Sequence, residues 1–447
     1  MNFNETICAL ATAHGGAIAI IRMSGNDAIR IASSLFSKQL ADAKPGTVHY
    51  GEIRDEGGVV DEVLVSVFRA PHSYTGEDSI EISCHGSRYI INKVLDLLVQ
   101  KGCRMAGPGE FTQRAFLNGK MDLSQAEAVA DLIASTNKAT HDIALSQLRG
   151  GFSSELSMLR AQLLKLTSLL ELELDFSDHE DLEFADRTEL QQLAQTIDDR
   201  IVRLAQSFET GQALKNGIPV AIIGKTNVGK STLLNRLLKD DRAIVSDVHG
   251  TTRDTVEDTV LLNGITFRVI DTAGIRQTDD TVERIGIDRT YQAIEKAKII
   301  LWVIDEKPTT AEIDNIHHRT KGKTLITIWN KSDLHPYPLE SKLDAIVMSA
   351  KNSENIESLE RAIYSAANIP EYYENDVIVT SARHYEALSH AHQNLLRVLD
   401  GLQSSLSGDL LAEDLRLVLS DLSDITGGAI TPQETLNNIF SHFCVGK

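Results

Sequence analysis

One segment of the sequence combines residue types and spacing that suit phosphate binding. Residues 224–231 read GKTNVGKS, which fits the pattern GxxxxGK[ST], and they follow an apolar run typical of a buried strand. The glycines let backbone N–H groups turn toward phosphates at a helix start, Lys230 supplies charge at the β- and γ-phosphates, and the Ser231 hydroxyl is a ligand for Mg²⁺. A chance turn rich in Gly and Lys would also match this pattern alone. The remaining predicted contacts of the segment are Asn227, Val228, Gly229 and Thr232.

Three further motifs follow in the order that a guanine nucleotide requires. Residues 271–274, DTAG, end a second apolar strand, where the carboxylate is expected to hold Mg²⁺ through water and the glycine N–H to contact the γ-phosphate. Residues 330–333, NKSD, follow another strand, and Asp333 can accept hydrogen bonds from both N1–H and the 2-amino group of guanine, which adenine cannot offer. Residues 349–351, SAK, supply backbone at the O6 edge, so the set predicts GTP rather than ATP. The predicted contacts are Asp271, Thr272, Ala273, Gly274, Asn330, Lys331, Asp333, Ser349, Ala350 and Lys351.

The residues that promote hydrolysis are less obvious than those that bind the nucleotide. Thr252 lies in the loop between the phosphate-binding segment and DTAG, where a second ligand for Mg²⁺ is expected. The glutamine that orients water in the Ras-like pattern is missing after DTAG, so another group must position water and neutralise developing charge. Arg253 and Arg276 as arginine fingers, or Asn227 as a ligand for a monovalent cation, are the alternatives.

The spacing of apolar residues predicts the elements that hold these motifs. The chain has 447 residues, enough for roughly three domains. Residues 1–118 alternate short strands with Gly-rich turns, and the period of two at residues 79–83 places Ile80 and Ile82 toward a core. From about Leu123, leucines recur every three or four residues, which predicts amphipathic helices.

Strand and helix alternate over residues 216–370, and helical spacing returns over 371–447. Neither helical segment buries its apolar face alone, so we expect residues 119–215 and 371–447 to pack together as one helical domain. The predicted fold class is therefore multidomain α+β and α/β. It has an N-terminal α+β domain, a helical domain built from two segments, and an inserted P-loop G domain with a mainly parallel sheet.

The composition argues against several classes of protein. The net charge of −19 argues against a stand-alone nucleic-acid binder, which would be basic. Four cysteines without a CxxC pair exclude a disulfide scaffold and the common zinc spacings. No apolar run approaches the roughly 18 residues of a membrane span. These features predict a soluble, cytoplasmic protein without a membrane partner.

Several longer motifs resemble one family. Residues 107–120 read GPGEFTQRAFLNGK, residues 22–25 RMSG, residues 74–78 YTGED, and the chain ends CVGK. Together with the G motifs and the split helical region, they resemble the MnmE (TrmE) family of tRNA-modification GTPases over essentially the whole chain. The 107–120 stretch and the terminal CVGK are far more specific than any G motif.

The resemblance implies a function and its partners. In that family the N-terminal domain binds a reduced folate, 5-formyl- or methylene-tetrahydrofolate, and makes a homodimer. G domains pair on GTP with K⁺ in the role of an arginine finger. An FAD-dependent partner of the GidA/MnmG type joins it in a heterotetramer or larger complex. The complex installs an aminomethyl-type or carboxymethylaminomethyl-type group at C5 of the wobble uridine (U34) of tRNA.

The resemblance also implies roles for particular residues, carried over by position. Glu283 is expected to orient water, and Ser231 and Thr252 to hold Mg²⁺. Lys230 and Cys444 are further candidates for catalysis; a buried, inert thiol is the alternative for Cys444, and the other cysteines are expected to be packing residues. The implied K⁺ ligands are Asn227, Ser246, Val248 and Thr251, with GTP contacts also at Asp247, His249 and Gly250. The implied folate contacts are Arg22, Glu81, Lys120 and Lys447.

Two other classes of GTPase are the alternatives to this function. A ribosome-assembly GTPase of the Era or Der type would carry a KH-like RNA domain with a GxxG loop, or tandem G domains. A membrane-remodelling GTPase would carry a basic or apolar membrane-binding face. The sequence has one set of G motifs and an acidic balance, so it favours a GTPase of tRNA modification.

Overall fold

The structure is a computed structural model. The chain forms two compact units. The described residues are 5–175, 187–240, 258–270, 291–337, 343–368, 377–404, 406–428, 433–441 and 443–446. One unit comprises Met1–Ile133, Leu145–Ile201 and Ala387–Lys447, and the other comprises Ala134–Ala144 and Val202–Glu386. Among the described residues, no helix combines the length and apolar character needed to cross a membrane.

The first unit contains a six-stranded sheet with the order β3-β4-β5-β2-β1-β6. Its strands are β1 (Ile7–Leu10), β2 (Ile18–Ser24), β3 (Thr47–Asp55), β4 (Gly58–Phe68), β5 (Ser79–His85) and β6 (Arg104–Met105). Neighbouring strands are antiparallel except β1 and β6. The helices of this region are α1 (Ala28–Leu35), α2 (Arg88–Gln100) and α3 (Glu110–Leu117).

One face of this sheet is buried under α1 and α2, which explains the period of two in its strands. Ile80 and Ile82 of β5 are fully buried, as predicted, while Glu81 points to the opposite face. The cysteines predicted as packing residues are buried: Cys8, Cys84 and Cys103.

Helices follow the sheet from Leu123, where helical spacing was predicted to begin. They are α4 (Leu123–Ala134), α5 (Lys138–Leu148), α6 (Gly151–Asp175) and α7 (Arg187–Asn216). The leucines of α6 that recur every three or four residues are buried, which confirms the predicted apolar stripe; they are Leu156, Leu159, Leu163, Leu166 and Leu170.

The second unit contains a mixed six-stranded sheet with the order β12-β11-β10-β7-β9-β8. Its strands are β7 (Ile218–Ile223), β8 (Asp258–Leu262), β9 (Ile265–Ile270), β10 (Ile299–Ile304), β11 (Thr324–Trp329) and β12 (Ile346–Val347). All neighbours are parallel except β8 and β9, in agreement with the predicted mainly parallel sheet. The carboxyl ends of its parallel strands meet at one edge, where ligand loops are expected. Its helices include α8 (Lys230–Asp240), α9 (Thr310–Arg319) and α10 (Ile356–Ala366).

Three helices close the chain: α11 (Ala382–Gln403), α12 (Gly408–Thr426) and α13 (Gln433–Ser441). Within the first unit, α6 packs along α12, so helices from the two sequence segments share a core. A hydrogen bond also joins α7 to α11, because His392 Nδ1 lies 2.6 Å from the carboxylate of the buried Asp198. The domain boundaries near 118, 215 and 370 stay predictions.

Candidate functional site

The phosphate-binding segment forms a tight loop between β7 and α8. The strand ends at Ile223, and α8 begins at Lys230, so the loop leads directly into a helix N-terminus. Asn227 and Gly229 both have positive φ, 62° and 98°. Ser231 lies in the first turn of α8, and Thr232 beside it is exposed.

The ammonium group of Lys230 points back into this loop. It donates hydrogen bonds to the carbonyl oxygens of Gly224 at 2.6 Å and Lys225 at 2.5 Å. Burial lowers the pKa of Lys230 from its ordinary value. Lys225 ties the same loop to residues outside it through ion pairs with Glu306 and Glu312, each at 3.0 Å.

Asn330 joins the phosphate loop to the loop at residues 349–351. Its Nδ2 donates to the Val228 carbonyl at 2.8 Å, and its Oδ1 accepts from the Ala350 N–H at 3.0 Å. The side chain is 2% exposed, so both bonds are shielded from water. The Asn330 side chain therefore connects the loops that follow β7, β11 and β12.

Asp333 and Lys331 flank this junction. The buried Ser349 hydroxyl donates to Asp333 Oδ1 at 2.7 Å, and this hydrogen bond lowers the pKa of the Asp333 carboxyl. Lys331 pairs with Asp305 at 2.8 Å. An ionised, oriented carboxylate is the group that can accept from the N1–H and 2-amino donors of guanine.

A second polar site lies on the N-terminal sheet. Arg22 of β2 and Glu81 of β5 are cross-strand neighbours, with the nearest nitrogen and oxygen atoms 2.8 Å apart. The Arg22 guanidinium lies 5.6 Å from the ring centre of Tyr74 and 5.8 Å from that of Phe111. Lys120 donates to the Pro71 carbonyl at 2.9 Å.

A network of buried ion pairs supports the second polar site. Arg114 is 1% exposed and pairs with Glu77 at 3.0 Å and with Glu110 at 3.1 Å. Glu110 is fully buried and also pairs with Arg104 at 2.6 Å. Since Glu110 and Arg114 belong to α3, the network fixes the helix that carries Phe111.

Known proteins match this chain over nearly its whole length. A family model described as MnmE helical domain matches residues 123–444, and one described as GTP-binding protein TrmE N-terminus matches residues 6–120. Two proteins named tRNA modification GTPase MnmE, from Phocaeicola vulgatus and Bacteroides thetaiotaomicron, are each 54% identical to this chain, over 99% of both chains. The chain belongs to the MnmE (TrmE) family. The protein of the same name from Flavobacterium johnsoniae is 49% identical over 99% of both chains.

Only part of the predicted nucleotide site of this MnmE-family chain lies within the described residues. The structure brings together Val228, Asn330 and Ala350, and it orients Asp333. No group of three or more His, Cys, Asp or Glu side chains in the described part of the chain is arranged to hold a metal ion. Predicted residues outside the described part are Ser246, Asp247, Val248, His249, Gly250, Thr251, Thr252, Arg253, Asp271, Thr272, Ala273, Gly274, Arg276, Glu283 and Lys447.

At the N-terminal site of the MnmE-family chain, Arg22 and Glu81 are hydrogen-bonded to each other, and their roles as folate contacts stay predictions. Tyr74 and Phe111, the ring neighbours of Arg22, were not among the predicted site residues, although both belong to motifs that carry the family resemblance. Cys444 is exposed, so the alternative is wrong in placing this thiol in the interior, and its role in catalysis stays a prediction.

We expect Gly229→Ala to weaken GTP binding by about 10²-fold, the upper end of the cost of local backbone strain. A methyl group there would lie 2.3 Å from Asn330 Nδ2, at a φ of +98° that side chains rarely adopt. Titration with a fluorescent GTP analogue measures the affinity. Gly264→Ala is the matched control, because its φ is +81° but no atom lies within 4 Å of the added methyl. Equal affinities for the two variants would contradict the role of the close approach to Asn330.

Proposed function

We propose that this MnmE-family chain binds and hydrolyses GTP in the C5 modification of the wobble uridine of tRNA. The observation that carries the GTP part is the connection of three loops through Asn330, with the Asp333 carboxylate held by Ser349. This arrangement offers a phosphate loop at one end and a guanine acceptor at the other. The relatives' name, tRNA modification GTPase, supports both halves of the proposal.

In hydrolysis, different side chains of the chain would have separate roles. Lys230 would exchange its loop carbonyls for phosphate oxygens and offset their charge, since its ammonium already points into the loop. Ser231 and Thr252 would hold Mg²⁺, which polarises the phosphates when bound. Asn227, Ser246, Val248 and Thr251 would surround K⁺, and Glu283 would orient the attacking water.

The N-terminal site fits a reduced folate as donor of the one-carbon unit. Arg22 and Glu81 form a partly exposed pair, and the Arg22 guanidinium lies near the rings of Tyr74 and Phe111; such a set suits a flat, polar heterocycle with an anionic tail. Lys120 and Lys447 would add positive charge. The working form proposed is a homodimer that joins a flavoprotein partner and tRNA.

The proposed function is tested by mass spectrometry of tRNA nucleosides from cells with and without this gene. We expect deletion to remove a C5-substituted wobble uridine, and the wild-type gene, but not Glu283→Ala, to restore it. An unchanged nucleoside profile on deletion would exclude the modification role and leave GTP hydrolysis to serve another process.

Hydrolysis is expected to be faster in K⁺ than in Na⁺, and Asn227→Ala should make the two rates equal. The reason is that the Asn227 side-chain carbonyl would be lost from the cation's ligands. Asn263→Ala is the control, because Asn263 also has a positive φ, 50°, and lies in the β8–β9 turn. Steady-state phosphate release in matched salts measures both, and equal wild-type rates in the two salts would contradict the K⁺ proposal.

Arg22→Ala should weaken binding of 5-formyl-tetrahydrofolate by roughly 10- to 100-fold while GTP turnover stays unchanged. The loss corresponds to one charge-assisted hydrogen bond. Isothermal calorimetry on the full chain measures the affinity. Arg30→Ala removes an exposed arginine paired with Asp27 and should leave it unchanged. Unaltered folate affinity in Arg22→Ala would remove Arg22 from the site.

A further inference from the structure

Two basic segments of the second unit meet at one edge of its sheet. Residues 296–298 read KAK, and residues 317–323 read HHRTKGK. The first segment leads directly into β10 and the second into β11, two parallel strands that pair with Ile299 opposite Thr324. Both segments therefore lie at the amino ends of these strands, at the edge opposite to the nucleotide loops, which follow the carboxyl ends.

Hydrogen bonds from Lys323 and Thr324 join the two segments. The Lys323 ammonium group donates to the carbonyl oxygens of Ile294 and Glu295, in the helical residues that precede β10. The Thr324 N–H donates to the Lys298 carbonyl at 3.2 Å. The carbonyl groups at the end of a helix lack partners within it, so Lys323 has a structural role as a cap.

Arg319, the last residue of α9, is held on the same surface in a fixed orientation. Its guanidinium group lies 3.5 Å from the ring centre of Tyr291, and its Nε donates to Asn315 Oδ1 at 3.0 Å. The residue is nevertheless exposed. A guanidinium group that is oriented before binding suits a phosphate well, because it loses less conformational freedom for each hydrogen bond that it forms.

Three other lysines of these segments have no structural role of this kind. They are Lys296, Lys298 and Lys321, all exposed, and their side chains form no ion pair with any described residue. Glu295 is the acidic residue nearest to them in the sequence. Because like charges that lie close together repel each other, the clustering of these lysines does not stabilise the fold. It indicates an anionic partner.

The lysines and the arginine of the two segments form a basic patch whose composition fits a contact with nucleic acid. Its members are Lys296, Lys298, Arg319, Lys321 and Lys323. Among residues 291–298 and 317–323, all within the described part of the chain, no large apolar side chain is exposed. A protein interface has an apolar core, and a membrane-binding surface inserts apolar side chains among the lipids. Contacts to an RNA backbone are made instead by lysine and arginine with phosphate oxygens.

We propose that the basic patch binds the phosphate backbone of tRNA at the edge of the sheet opposite to the nucleotide. β10 has six residues, so about 20 Å separate the patch from the nucleotide loops. Phosphate contacts fix position without reading sequence, so the patch holds the RNA while the base is selected elsewhere. The net charge of −19 repels RNA from the rest of the chain and so directs phosphates to this patch. That the RNA is a tRNA rests on the proposed function.

The affinity of the full chain for unfractionated tRNA tests the proposal. In the patch variant, the three exposed lysines become alanine: Lys296→Ala, Lys298→Ala and Lys321→Ala. We expect this variant to bind about 10²-fold more weakly at about 0.1 M salt, because three phosphate contacts are lost. The slope of log affinity against log salt concentration should fall in magnitude by about 2 to 3 for the same reason. Fluorescence anisotropy of labelled tRNA measures both quantities.

The control variant removes the same charge from exposed lysines of the first unit: Lys38→Ala, Lys101→Ala and Lys165→Ala. It should bind tRNA with the affinity and the salt dependence of the wild type. Equal losses in the two variants would mean that net charge, rather than the patch, sets the affinity, and would overturn the proposal. No measurable binding of tRNA by the wild type would also overturn it.

Lysine acetylation locates the contact in the wild-type chain. Bound tRNA should slow the reaction of an amine-reactive acetyl ester at the three exposed patch lysines, but not at the three control lysines. Peptide mass spectrometry measures the extent of acetylation at each position. Equal protection of the two sets would contradict a contact confined to the patch.

Three further measurements separate the patch from the nucleotide site, from other partners and from the proposed function. The patch variant should keep the wild-type rate of GTP hydrolysis, and loss of this rate would contradict the separation of the two edges. Vesicles of phosphatidylserine and phosphatidylcholine, and polyglutamate, should compete poorly with tRNA. Stronger binding of either, with the same dependence on the lysines, would assign the patch to a membrane or to an acidic protein instead. Failure of the proposed function would show as an unchanged nucleoside profile on gene deletion, with the lysine-dependent binding of tRNA intact.

Discussion

Asp333→Asn is expected to reduce the affinity for GTP by about 10²-fold or more and to raise that for xanthosine triphosphate. Two charge-assisted hydrogen bonds to the guanine edge, each contributing roughly 1.5–3 kcal/mol, would be lost or reversed. The Ser349 hydroxyl holds the carboxylate at 2.7 Å, so the change acts on an oriented group rather than on a mobile side chain. Xanthine carries a carbonyl where guanine carries its amino group, and the asparagine amide can donate to it.

The measurement is competition of GTP and xanthosine triphosphate for a fluorescent nucleotide, with hydrolysis of each followed separately. Asp314→Asn, on the exposed face of α9, is the control for the loss of one negative charge. A parallel loss of affinity for both nucleotides would mean that Asp333 supports the loop rather than reads the base. A gain for xanthosine triphosphate alone identifies the carboxylate as the guanine acceptor.

Local sequence patterns predicted the elements of the fold well, because burial imposes a period on each of them. The alternation at Ile80 and Ile82 follows from a sheet with one buried face, and the leucines of α6 follow from a helix with one buried stripe. The phosphate loop was predictable for a similar reason. Its glycines, lysine and serine are adjacent in sequence, so a strand followed by a helix is enough to place them.

Contacts between distant residues were not predictable in this way. Arg22 and Gly446 are separated by 424 positions, and neither lies in a periodic pattern that points to the other. Glu77, Glu110 and Arg114 were not singled out as an ion network, because a charged residue in sequence is most often a solvated one. Their burial follows from the packing of α3, which only the tertiary structure reveals.

Glu110→Gln is expected to destabilise the N-terminal sheet by about 3–5 kcal/mol, the usual cost of removing one partner from a buried ion pair. The variant keeps the shape of the side chain but leaves Arg114, 1% exposed, with Glu77 as its remaining carboxylate partner. Native-state hydrogen exchange at β2 and β5 measures the free energy of unfolding of this region in the full chain. Glu52→Gln, which breaks the exposed pair with Arg54, should change it by no more than about 1 kcal/mol.

The stability of the N-terminal sheet is expected to depend on pH through the Glu110 carboxylate. Burial favours a higher pKa for Glu110, but hydrogen bonds from Arg104 and the Gly107 N–H outweigh it, so the pKa lies below the ordinary 4.5. A lowered folded pKa contributes stability that is complete above the unfolded value and is lost as the pH falls through the folded value. From about pH 4.5 downward, the wild type should therefore lose stability more steeply than Glu110→Gln, by up to about 1.4 kcal/mol per pH unit for one proton. Identical slopes would mean that Glu110 takes up no proton in this range and that its charge contributes nothing to the acid sensitivity of the fold.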